Sequence, residues 1–148
     1  MQSRTQYCCE TWGAWKPRGN KVILQRLQAV CNKFFRLIYN LDRCESVRDL
    51  LKTNNVLNIN QMYDYSISKT MHRARQYDLP LPLQNLFEIS CENESTFVVS
   101  PSRIKRTENS ISKAGPKVWN SLPNRITAEI ECKKFQTSLK KHILNITP

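Results

Sequence analysis

Six cysteines, two histidines and twelve carboxylates are the groups in these 148 residues that could ligate a metal or attack a bond. The cysteines are Cys8, Cys9, Cys31, Cys44, Cys91 and Cys132, and none of them forms a C-x-x-C pair. His72 and His142 stand far from any cysteine cluster, so the ligand spacing that closes a zinc site is missing. Neither histidine has a nucleophile or an orienting carboxylate placed for a proton relay nearby in sequence. In a reducing compartment the isolated Cys31, Cys44, Cys91 and Cys132 are expected as small buried hydrophobes or spectators, and the Cys8–Cys9 pair points to no specific chemistry. These residues specify no reaction mechanism.

The other groups able to act are cations. A net charge of +11 makes an anionic polymer the first partner to consider, because each phosphate neutralised releases counterions. A soluble, lysine-rich helical surface is the alternative reading of the same charge. The basic residues concentrate before residue 56 and after residue 100, while Glu88, Glu92 and Glu94 make the stretch between them acidic. The residues that could follow a phosphate backbone are Lys33, Arg36, Arg103, Lys105, Arg106, Lys133, Lys134, Lys140 and Lys141. Lys140 and Lys141 also suit the negative end of a helix dipole, so stability alone would explain them.

Helices must carry these side chains. From Lys21 to Leu41, Ile23, Leu27, Val30, Phe34, Leu37 and Leu41 recur at three and four, with Leu24, Cys31, Phe35 and Ile38 widening the stripe, which predicts an amphipathic helix with that stripe inside. Its opposite face carries Gln25, Asn32, Lys33, Arg36 and Asn40, read as a solvated or a backbone-tracking surface. Ser46 followed by Asp49 predicts the start of a short helix ending at Asn54-Asn55. Asn58 and Gln61 predict a second capped start, for a helix with Ile59, Met62, Tyr63, Ile67, Met71 and Ala74 on its inner face, ending near Asp78. Leu79-Pro80-Leu81-Pro82-Leu83 predicts extended backbone, since a residue before proline is pushed out of the α region. An apolar turn at Leu83, Leu86 and Phe87 follows, then mostly irregular chain with a candidate strand at Phe97-Val98-Val99.

The stretch Ser110 to Pro123 reads as a plug. Gly115 and Pro116 are expected to open a short helix that Pro123 stops, with Trp119 as its large apolar anchor beside Val118 and Leu122. Thr127 is expected to cap a last helix whose buried stripe is Cys132, Phe135, Leu139 and Ile143.

Several strings carry a resemblance. Y-C-C-E-T-W-G (Tyr7 to Gly13), L-Q-R-L-Q (Leu24 to Gln28), F-R-L-I-Y-N-L (Phe35 to Leu41), M-Y-D-Y (Met62 to Tyr65), G-P-K-V-W-N-S-L-P (Gly115 to Pro123) and K-K-F-Q-T-S-L-K-K (Lys133 to Lys141) occur in that order. Together they resemble the C-terminal segment of reverse transcriptases from jockey-like non-LTR retrotransposons. The resemblance implies a non-catalytic segment of an RNA-directed DNA polymerase that supports binding of template RNA or target DNA. It also implies an upstream polymerase domain as a partner, with magnesium belonging to that domain and no cofactor in this chain. The paired aspartates that hold two magnesium ions in such a polymerase are not found here: Asp42, Asp49, Asp64 and Asp78 are scattered. Beginning at Met1 inside that pattern, the chain reads as a fragment or remnant. The alternative is a protein-interaction or structural module with no activity of its own.

The expected architecture is mainly α: a small helical bundle with an irregular extended arm and little or no strand. Residues 1–20 read as the tail of a preceding element and 21–87 as a helical region. An irregular arm spans 88–112, and the Trp-anchored short helix and C-terminal basic helix span 113–148. Polar and charged residues interrupt the apolar stretch from Val22 to Leu41, so a membrane span is not expected and an intracellular location, nucleus or cytoplasm, is.

Overall fold

The computed structural model describes residues 21–91, 95–101 and 110–146, the first three by backbone alone. The described residues form seven helices: α1 Lys21–Ile38, α2 Val47–Thr53, α3 Ile59–Arg75, α4 Leu81–Gln84, α5 Ile111–Asn120, α6 Asn124–Thr127 and α7 Cys132–Ile146. They contain no strand, and one antiparallel bridge joins Ile89 to Phe97. The fold is mainly α, as its periodicity predicts. None of these helices is long and apolar enough to cross a membrane.

The core is built around α3. Asn58 accepts the Gln61 N–H and the Gln61 side chain accepts the Asn58 N–H, both at 2.8 Å, so the helix starts with two donors satisfied reciprocally. All six residues expected on its inner face are buried. Helices α5 and α7 pack on that face, and Trp119, Phe135, Leu139 and Ile126 complete the core. Two residues beyond the end of each of α1, α2 and α3 stands a residue of positive φ: Asn40, Asn55 and Tyr77. The next N–H reaches back five residues in all three cases, Leu41 to Arg36, Val56 to Leu51 and Asp78 to Arg73, which ties down otherwise unpaired carbonyls.

Trp119 is fully buried, and its indole N–H donates to the Ser95 carbonyl at 2.8 Å. Its neighbour Asn120 accepts the Phe97 N–H and donates to the Phe97 carbonyl, mimicking a strand partner. Helix α5 thereby fixes the described part of the irregular arm as well as closing the core. The expected start of this helix is corrected: it begins at Ile111, with Ser110 as N-cap, and Pro116 lies inside it. Proline is poorly tolerated there because the residue before it clashes through its Cβ. Gly115 has no Cβ, so the helix continues, and only the bond that would reach the Ser112 carbonyl is given up.

Four further expectations are corrected. Leu81-Pro82 does not stay extended: Pro80 is the N-cap of α4, where prolines in the first turn cost nothing in lost N–H donors. Thr127 does not cap the last helix. It is buried at the end of α6, and α7 begins at Cys132, with Glu131 accepting the Phe135 N–H. Cys132 is exposed rather than part of the α7 stripe, Cys44 and Cys91 are exposed too, and Cys31 is half-buried. In α1 part of the predicted inner stripe is outside, with Val30 and Phe34 more than two-fifths exposed and Leu37 79% exposed. Among the described residues of this helix, Leu24, Leu27 and Cys31 of the stripe pack on the core.

Candidate nucleic-acid interface

Beside Leu24, Leu27 and Cys31, α1 also turns a polar stripe inward. Gln28, Asn32 and Arg36 repeat every four residues and so share one face. Gln28 accepts the Ile59 N–H at 2.9 Å, which joins α1 to the start of α3. Its amide nitrogen donates to Asn32 Oδ1 at 2.8 Å, and Arg36 Nη2 donates to the Glu45 carbonyl at 3.1 Å. These bonds hold α1 across the loop that leads into α2.

A cleft of about 360 Å³ lies between the stripe, α2 and the start of α3. Arg48 and Lys52, one turn apart on α2, line it together with Arg36. Leu51, Val56 and Leu144 supply apolar wall, and among the described residues no aspartate or glutamate lines it. None of its three cations is in an ion pair among the described residues, where the pairs are Arg73 with Asp78 and Lys134 with Glu131. Arg36 Nε is out of solvent with no acceptor.

Three neutral polar side chains here each accept a hydrogen bond from within the protein. Asn32 Oδ1 takes the Gln28 amide, Asn58 Oδ1 takes the Gln61 N–H, and Ser46 Oγ takes the Arg48 N–H at 3.3 Å. The Asn32 and Asn58 amide NH₂ groups and the Ser46 hydroxyl hydrogen remain as donors. Three cations therefore line one cleft together with neutral amides and a hydroxyl, a composition suited to an oxyanion.

The residues singled out in the sequence are not gathered at one place. Arg36 lies in this cleft; Lys33 is exposed on α1 and does not line it. Lys141 lines a second cleft with Arg125 and His142, where Glu129 offsets part of the charge. Lys133 and Lys134 are exposed on the first turn of α7, Lys134 paired with Glu131 at 2.9 Å, and Lys140 is half-buried. Arg103, Lys105 and Arg106 lie outside the described residues. Of the anchor residues, Gly115, Pro116 and Trp119 are buried and Leu122 is half-buried, while Pro123 is exposed as the N-cap of α6. Sequence reasoning missed Arg48 and Lys52. Their four-residue spacing on a helix too short to show a stripe was the available signal.

Among the described residues no three His, Cys, Asp or Glu side chains are grouped to hold a metal ion. No protein-family model, no curated protein and no solved structure matches this chain.

Proposed function

We propose that this chain is a helical, non-catalytic segment of a retrotransposon-type RNA-directed DNA polymerase, helping to hold template RNA or target DNA by its phosphates. The observation that carries the binding part is the cleft of Arg36, Arg48 and Lys52, which presents donors and, among the described residues, no carboxylate. The polymerase part rests on the resemblance of the ordered strings from Tyr7 to Lys141. Titrating the full chain with single-stranded RNA across a salt series tests the binding. The affinity should fall steeply with salt, and Arg48→Gln with Lys52→Gln should flatten the log–log slope by about 1.4, at roughly 0.7 per lost phosphate contact. Absent or salt-indifferent binding overturns it.

A second reading has its own support in the outward apolar residues of α1. Val30, Phe34, Leu37 and Ile38 on the helix and Tyr39 just past its end are all exposed. In this reading α1 packs on the polymerase region that the resemblance places upstream. A chain that self-associates alone, and becomes monomeric when that region is added but not when RNA is added, favours it.

A further inference from the structure

We propose that the cleft between α1 and α2 receives the terminal phosphate monoester of a nucleic-acid strand, in preference to a phosphodiester within it. This rests on the nucleic-acid reading above and narrows it. A phosphodiester offers one negative charge and two free oxygens, whereas a terminal monoester offers nearly two charges and three strong acceptor oxygens. Three cations, Arg36, Arg48 and Lys52, meet at the cleft with the amides of Asn32, Asn58 and Asn60 and the Ser46 hydroxyl. Arg36 Nε is out of solvent and has no acceptor within the protein. Three cations with no carboxylate among the described lining residues match the nearly two charges of a monoester better than the single charge of a diester.

The cleft's volume of about 360 Å³ is in the range of small-ligand sites, with room for a phosphate and the sugar that carries it. Its apolar wall of Leu51, Val56 and Leu144 offers that sugar a dry surface. Arg48 and Lys52 are exposed, so they can reach a phosphate without the core moving.

The test compares one short single-stranded oligonucleotide in two forms, with a 5′-phosphate and with a 5′-hydroxyl, as competitors for the full chain. The phosphorylated form should bind about tenfold tighter, the worth of one charge-assisted contact. Arg48→Gln with Lys52→Gln should abolish that preference, and Lys117→Gln, exposed on α5 and outside the cleft, should keep it. Equal affinities of the two forms in the wild-type chain, with a steep salt slope retained, overturn the strand-end assignment and leave nucleic-acid binding standing. No binding of either form overturns both. If inorganic phosphate raises the melting temperature as much as an equal concentration of the phosphorylated oligonucleotide, the site is for free phosphate and the strand-end assignment is again overturned.

Discussion

His72 and Phe135 stack face to face across the contact between α3 and α7, with ring centroids 4.1 Å apart and planes inclined by 19°. Trp119 lies against both rings, so an imidazole occupies the centre of an aromatic core. His72 is 2% exposed, and its Nε2 lies 2.9 Å from the Glu129 carbonyl. A carbonyl can only accept, so Nε2 carries the hydrogen and Nδ1 bears the lone pair, buried and without a partner.

The charged form of His72 is therefore disfavoured in the folded chain. Burial lowers its pKa below the ordinary 6.5, the bond to Glu129 opposes that in part, and the nearby Arg75 charge adds to the lowering. With the folded value below the unfolded one, the unfolded chain takes the proton first. The contribution is fully present above pH 6.5 and is lost as pH falls below it, at up to about 1.4 kcal/mol per pH unit for one proton. Urea midpoints between pH 8 and pH 5 should show this loss, and His72→Phe should flatten the slope in that window whatever it does to the absolute stability. An unchanged slope in the variant would assign the acid sensitivity to other groups.

Gly115 is where α5 comes closest to α3. A Cβ added there would stand 2.5 Å from Met71 Sδ and 3.5 Å from Phe87 Cε1, and Met71 is wholly buried. Alanine favours a helix by about 1 kcal/mol over glycine, but overpacking a filled core costs about 1–3 kcal/mol. Gly115→Ala should therefore lose stability, and lose less in a Met71→Ala background, where the obstructing sulfur is gone. Equal losses in the two backgrounds would place the cost in the Gly-Pro backbone instead.

Trp119→Ala should cost about 3–5 kcal/mol, read from the denaturation midpoint, since a large buried side chain is removed. Trp119→Phe should restore part of this. It keeps an aromatic ring against Phe97 and Phe135 but leaves the Ser95 carbonyl without the indole donor. If phenylalanine matched the wild type, the 2.8 Å bond to Ser95 would contribute nothing measurable.

Residues whose neighbours are close in sequence were legible. The Asn58–Gln61 box, the buried stripe of α3 and the anchoring by Trp119 each follow from spacing within a turn or two, or from one residue's size. What depends on distant partners was not. In α1 both faces are amphipathic candidates, and the polar stripe turned inward because Gln28 serves the Ile59 N–H, 31 residues away. Pro116 looked like a helix start because the residue that admits it mid-helix, Gly115, reads equally well as a turn. The cleft was hidden for the same reason: Arg36 joins Arg48 and Lys52 only once the Asn40 turn has folded α2 against α1.

The two faces of α1 and α7 permit a direct comparison of one residue type. Leu37 and Leu139 each stand in an apolar stripe with three-and-four spacing, and the sequence treats them alike. Leu139 is fully buried while Leu37 is 79% exposed. Leu139→Ala should cost about 2–5 kcal/mol, whereas Leu37→Gln should stay within about 0.5 kcal/mol of the wild type. Thermal denaturation of both variants separates the cases at low protein concentration, where association does not contribute. A large loss for Leu37→Gln would mean that α1 is covered in solution, and if that loss grew with protein concentration, the cover would be a second copy of the chain.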